Sequence, residues 1–463
     1  MILRNGLYSI LSTLLNFLAP IMILPIVTRV LNQDALGKVL YHESIGRYIA
    51  MFLLLGIPIY GVREIAQNNK KLKGDHSSFI LSMISLQLIL TGLITLIWLI
   101  FFEINIFNTL TILLAIFAGF SLEWALQGFE KFKIIAIRNI VVKLTYLLLI
   151  IIFIKDEKDA ILFLSIIVFG NFLLMLWNII ALRNILKNFK PSKIKLKKHL
   201  KPVTILFSSI IVISIYTMLD IIILDHLKGS VEVAIYNIGF RIPKACVLII
   251  SSILIVFIPR INSLYTSDKF KFKQTLKTSL ELILLLAIPL SLILSLNSEL
   301  IINVLAPLEN YSDSSTVIKI LSFSPILIGL SNFLGIQVLT TYGYEKWLFY
   351  STCAGAIISL LINFILIPKY GAIGASIANI SAEFIVMISL LIIVYKKELL
   401  KGIIDKLKTK ELIIILFSIT IFVYSILVPV EAEYVILLNG FILVGMFLIR
   451  GRYFSVIKNL KNN

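Results

Sequence analysis

FILSMISLQLILTGLITLIWLIFF, residues Phe79 to Phe102, runs its whole length without a charged side chain. About 20 mostly apolar residues in α-helix cross the hydrocarbon core of a bilayer, so this stretch reads as a transmembrane helix. Outward from it the pattern repeats. Toward the N-terminus lie apolar stretches at Leu7 to Val27 and Val39 to Tyr60. Toward the C-terminus they continue at Ile106 to Leu126, Ile134 to Ile154 and Ala160 to Leu182, completing a first set. A second set runs Val203 to Leu224, Ile238 to Ile258, Leu276 to Leu296, Val317 to Leu339, Leu348 to Ile367 and Ile373 to Tyr395. A final pair, Leu412 to Val430 and Val435 to Ile449, follows. The chain has 463 residues, of which 59% are hydrophobic, and it reads as an all-α integral membrane protein of about 14 transmembrane helices.

The expected organisation is an N-terminal lobe over 1–182, a basic cytoplasmic linker over 183–202, a C-terminal lobe over 203–395, and two extra helices with a tail over 396–463. Two sets of six keep the same orientation in the membrane. They would be related by an axis along its normal, with the substrate site between them near the midplane. The first apolar stretch is too long for a signal-peptide core and lacks a small-residue cleavage site, so it is expected to be a retained helix.

A net charge of +18 invites a nucleic-acid reading, but the basic residues mark alternate loops instead. Lys70, Lys71, Lys73, Lys131, Lys133, Lys269, Lys271, Lys273 and Lys396 to Lys410 share one side, and Glu103, Asp156, Glu299, Glu309 and Asp313 fall on the other. The positive-inside rule then places both termini in the cytoplasm. The Lys-rich segment from Arg183 to Lys201 is expected to rest on anionic membrane lipid. Two cysteines and four scattered histidines offer neither a disulfide framework nor a metal motif, and no phosphate loop occurs. No cofactor is expected. The outer loops are short, which leaves little room for the catalytic domain that a polysaccharide polymerase or ligase would need.

Cations inside apolar spans carry the functional signal. Arg47, Lys143, Arg241 and Lys244 each sit where a charge costs at least about 2.5 kcal/mol, so each should face a cavity, a partner or a substrate. Glu43 and Arg47 are one helical turn apart and should pair. Asn237, Arg241 and Lys244 form one stripe, Asn139, Lys143 and Tyr146 another, and Ser209, Tyr216, Thr217 and Asp220 a third. Glu123 with Gln127, and Ser376 with Asn379 and Glu383, are polar faces that could hold a coupling cation or simply join helices. A guanidinium grips phosphate oxygens as a fork, so interior arginines favour a phosphate or pyrophosphate cargo. An acidic chamber would instead suit a cationic-drug exporter, and Asp220, Glu123 and Glu383 keep that alternative open.

Four local sequences resemble a known family. PIVTRVLNQDALGKV (Pro25 to Val39), GIPIYGVREIAQ (Gly56 to Gln67), FIPRINSLY (Phe257 to Tyr265) and NFILIPKYGAIGASIANISAE (Asn363 to Glu383) are similar to segments of Wzx-type O-antigen flippases of the multidrug/oligosaccharidyl-lipid/polysaccharide exporter superfamily. Asn32 departs from the glycine common in the first of these. The resemblance implies two six-helix lobes in a V and transfer of undecaprenyl-pyrophosphate-linked oligosaccharide to the outer leaflet of a bacterial inner membrane, with polysaccharide polymerase machinery as a partner. The related lipid II flippases carry essential arginines on the first, second and eighth helices. By position Arg29, Arg47 and Arg241 would match them, with Lys143 and Lys244 extending the positive field.

Overall fold

The computed structural model describes residues 16, 18–69, 76–186 and 196–401. Regular structure there is helical throughout, with no strand among the described residues. Among the described residues, eight helices are long and apolar enough to cross a membrane, nine if one bent pair is counted as a span. The first twelve expected spans all have helical counterparts. The last pair, together with 1–15 and 187–195, lies outside the described residues.

Two units emerge, Met1–Ala234 and Ile235–Asn463. The first contains α1 (Leu18–Val30), α2 (Gln33–Leu54), α3 (Ile57–Asn69), α4 (His76–Phe101), α5 (Ile106–Gly119), α6 (Glu123–Gly128), α7 (Phe132–Phe153), α8 (Ala160–Leu186) and α9 (Leu196–Lys228). The helix after the basic segment thus belongs to the first unit, where it packs on α2, α3 and α4.

Two spans read as continuous helices are broken. The stretch Val39 to Tyr60 divides into α2 and α3, bent by 43°. Leu55 and Gly56 both have positive φ there, and a Cβ on Gly56 would lie 2.5 Å from the Val203 carbonyl oxygen of α9. Only glycine fits at that crossing. The stretch Ile106 to Leu126 divides into α5 and α6 around Leu122, whose φ is also positive. The two breaks are neighbours, since a Cβ on Gly119 at the end of α5 would meet Leu53 at the end of α2 within 2.6 Å. Apolar packing separates into two clusters accordingly. Leu53, Trp98, Ile112 and Ala115 form one, while Ile57, Tyr60, Ile65, Phe79, Trp124 and Val203 belong to the other.

The second unit takes most of α10 (Ser230–Ser267), then α11 (Lys269–Leu296), α12 (Ser298–Leu305), α13 (Leu308–Leu321), α14 (Ser324–Asn332), a π-helical turn at Phe333–Leu339 and α15 (Glu345–Lys396). α15 is 52 residues long but contains two spans, because Gly371 departs from helical geometry at φ 53°, ψ −128°. Its core packs α10 and α11 against the π turn through Ile250, Leu254, Phe272, Ile283, Phe333 and Leu390.

Candidate functional site

In the first unit, cations gather from α2 and α7. The guanidinium of Arg47 donates from Nε to Oε1 of Glu43 at 2.9 Å, and its Nη2 lies 2.8 Å from the same oxygen as an ion pair. Its side chain is 44% exposed and that of Glu43 only 16%, so the carboxylate sits beneath and the cation reaches outward. Nη1 of Arg47 makes no hydrogen bond among the described residues. Lys143 on α7 is half-buried, its Nζ 5.9 Å from the Tyr146 ring centroid, and it feels the charges of Arg47, Glu43 and Arg138. Arg138 has its own carboxylate in Glu123, so Arg47 and Lys143 against Glu43 leave a local excess of one positive charge, the right sign for a phosphate. Arg29 on α1 is exposed and turns back along its own helix, where Nη1 donates to the Pro25 carbonyl at 2.7 Å.

Arg138, absent from the candidates chosen from sequence, is the deepest cation among the described residues of this unit at 1% exposure. It spans the break between α5 and α6. Nη2 donates to Oε2 of Glu123 and to Oδ1 of Asn139, both at 2.7 Å, Nε also donates to that Oδ1, and Nη1 donates to Oδ1 of Asn178 on α8. Asn178 donates onward to the Ser121 carbonyl, and Gln87 on α4 donates to the Gly119 carbonyl at 3.0 Å. Backbone freed by the break is thereby capped by side chains from neighbouring helices, the condition for irregular backbone at membrane depth. The other Glu123 oxygen accepts from Gln127 at 3.0 Å. Both carboxylate oxygens of Glu123 are therefore engaged, and Oδ1 of Asn139 accepts from Arg138. Asp220 on α9 is buried at 1% exposure, while the side chains of Ser209, Tyr216 and Thr217, expected on its stripe, lie outside the described residues.

The second unit carries its own polar helix face. Arg241 donates from Nε to Oδ1 of Asn237 at 2.7 Å, one turn back on α10. Lys244 places Nζ 5.4 Å from the Phe240 ring centroid and acts electrostatically on Glu383 of α15, which is 7% exposed. Pro243, between the two cations, removes one backbone donor from α10. Further along, Asn332 donates to Ser251 at 3.1 Å, and Gln337 in the π turn donates to the Leu254 carbonyl at 3.0 Å.

Residues 2–265, more than half of the chain, match a family described as polysaccharide biosynthesis protein. The chain belongs to that family. A second family, MatE, matches residues 205–365. The chain is 27% identical over 411 residues to a putative O-antigen transporter of Escherichia coli (strain K12), covering 86% of this chain and 97% of the relative. It is 26% identical over 409 residues to the capsular polysaccharide biosynthesis protein CapF of Staphylococcus aureus, covering 83% and 97%. Its fold is that of solved exporters. A multidrug resistance MATE family transporter of the MOP superfamily, in an inward-facing conformation, aligns with a TM-score of 0.63 at 15% identity over 83% of this chain and 95% of the other. The lipid II flippase MurJ, in an inward closed conformation, aligns with a TM-score of 0.62 at 17% identity over 96% and 98%. The resemblance to Wzx-type flippases of this superfamily, read from four local sequences, is borne out.

Proposed function

We propose that this multi-pass membrane protein is a flippase for lipid-linked oligosaccharide, moving an undecaprenyl-pyrophosphate-linked surface-polysaccharide unit from the cytoplasmic to the outer leaflet of a bacterial inner membrane, with both termini cytoplasmic. The reading rests most heavily on Arg47. Its guanidinium is tied to a single carboxylate oxygen and its side chain is 44% exposed, which supports a role in donating to a phosphate. Lys143 adds positive field from α7. Arg29 in the first unit, and Arg241 with Lys244 in the second, are proposed to contact the same class of cargo. Glu43 sets the resting partner of Arg47, and Asp220 is assigned to charge pairing. No bond is made or broken in this process, so the protein acts as a transporter rather than an enzyme. A pyrophosphate carrying about two negative charges gains on the order of 4 to 5 kcal/mol per 100 mV when moved outward across an inside-negative membrane, enough to drive export without nucleotide. A polysaccharide polymerase would receive the unit on the outer side.

Deletion of the gene, followed by analysis of lipid-linked sugars, tests this reading. Complete repeat units should accumulate facing the cytoplasm, with Arg47→Ala failing to restore export. Unchanged surface polysaccharide in the deletion strain would refute it. The MatE match and the buried Glu383 favour a second reading, a cation-coupled drug exporter of the same superfamily. That reading predicts drug sensitivity on deletion with surface glycan intact.

A further inference from the structure

Arg47 and Arg241 are held alike, but by partners of different charge. Each leans back one helical turn and donates from Nε to a side-chain oxygen four residues before it, Arg241 to Oδ1 of Asn237 at 2.7 Å and Arg47 to Oε1 of Glu43 at 2.9 Å. A neutral amide is thus enough to orient an arginine on an apolar helix. The carboxylate in the first unit does more, because it offsets one of the two positive charges that Arg47 and Lys143 bring together. It also occupies the guanidinium edge formed by Nε and Nη2, with Nη2 2.8 Å from the same oxygen. An arginine grips phosphate through such an edge, so carboxylate and phosphate oxygens are alternative acceptors for it.

The pair is also built to open. Arg138 has all three nitrogens on side-chain oxygens and its partner Glu123 has both oxygens engaged, so that pair cannot part without stranding its neighbours. Glu43 and Arg47 lie on one helix, and their separation needs rotation about side-chain bonds but no movement of α2. A carboxylate that leaves Arg47 still has a cation beside it, since Glu43 and Lys143 act on each other electrostatically. Were it to stay, the arriving phosphate would meet a second anion across the same guanidinium at membrane depth, where like charges repel far more strongly than in water.

We propose that Glu43 is an internal competitor for the cargo, yielding Arg47 when the phosphate binds and reclaiming it to expel the phosphate, an inference that rests on the function proposed above. Tethered one turn away, the carboxylate is present at Arg47 at a high effective concentration and hastens release once the site opens. The test measures binding of inorganic pyrophosphate to the full chain in lipid nanodiscs, and export of lipid-linked glycan in cells making equal amounts of each protein. Glu43→Gln gives Arg47 the kind of neutral partner that Arg241 has, and it should tighten pyrophosphate binding at least about tenfold while export falls at least about threefold. If this variant does not fold, Glu43→Asp, which keeps the charge but draws the carboxylate back by one methylene, should move both readouts in the same directions by less. Opposed signs are the signature, since a purely structural Glu43 would weaken binding and export together. Unchanged or weaker binding in the variant would overturn the proposal. Tighter binding with export undiminished would overturn it too, as the mark of a carboxylate that merely repels the cargo. Failure of the wild-type protein to bind pyrophosphate counts against the cationic site itself, and this inference falls with it. Wild-type binding that Glu43→Gln leaves unchanged counts against the competitor alone.

Discussion

Arg47 and Arg138 are both arginines within apolar helices of the first unit, yet they differ in nearly every other respect. Arg138 is 1% exposed and bonds to three side chains from three helices, around a break that needs capping. Arg47 is 44% exposed and rests on one oxygen of a residue of its own helix. Charge at membrane depth is therefore insufficient to mark a binding site. Satisfaction distinguishes the two: a cation with all three nitrogens engaged holds the fold, and one with an open edge can receive a ligand.

The largest expected effect on stability is at Arg138. Arg138→Ala removes the cation paired with Glu123 and takes the guanidinium donors away from the Oδ1 atoms of Asn178 and Asn139, so thermal unfolding in detergent should show a loss of about 3 kcal/mol. Glu123 is 31% exposed and water can partly replace its partner, which holds the figure to the low end for a buried pair. A loss under about 1 kcal/mol would mean that the break is held by packing alone. Gly56→Ala comes next, at about 1 to 3 kcal/mol, because the added methyl meets the Val203 carbonyl and the backbone has positive φ. If the variant unfolds like the wild type, the break is softer than the geometry requires.

Arg47→Ala should reverse the pattern, with stability changed by less than about 1 kcal/mol, as for an exposed pair. Export should nevertheless fall at least about tenfold through loss of a charge-assisted contact. Arg47→Lys should restore only part of it, since an ammonium cannot grip as a fork. Full export by Arg47→Ala would erase the proposed distinction between the two arginines.

The smallest effect lies outside the membrane. The Asp159 carboxylate accepts from the backbone N–H groups of Lys155 and Asp156 at 2.8 and 2.9 Å, and these bonds hold its pKa below the usual aspartate value. Its contribution to the loop should be fully present above the ordinary pKa of about 3.9 and disappear as pH falls through the lowered value. Amide exchange at Lys155 and Asp156 should quicken only in that acid range. In Asp159→Asn it should be faster already at neutral pH.

Length and hydropathy made the spans legible, because a bilayer sets a fixed requirement that Phe79 to Phe102 meets without exception. The breaks were not legible in the same way. Leu55 and Leu122 are good helix formers, and their positive φ is imposed by neighbours such as Val203 and the Arg138 network, which sequence reading does not place. Pro58, the only proline near the first break, lies within the first turn of α3, where proline is tolerated. Arg138 lies four residues past Ile134, near the start of its span, where sequence alone does not distinguish a buried cation from an interfacial one. The adjacent Arg138 and Asn139, preceded by Glu123 and Gln127, were the signal available. Glu43 with Arg47 was readable because helical spacing alone brings the two together.

The most direct test of the account measures which leaflet holds the lipid-linked glycan, by accessibility to an external glycan-cleaving enzyme in cells making equal amounts of wild-type or Arg47→Ala protein. The account predicts accessible glycan with the wild type, and protected glycan with a variant that still unfolds at the wild-type temperature. Glycan equally accessible in both would contradict the assignment of Arg47 to the cargo's phosphate.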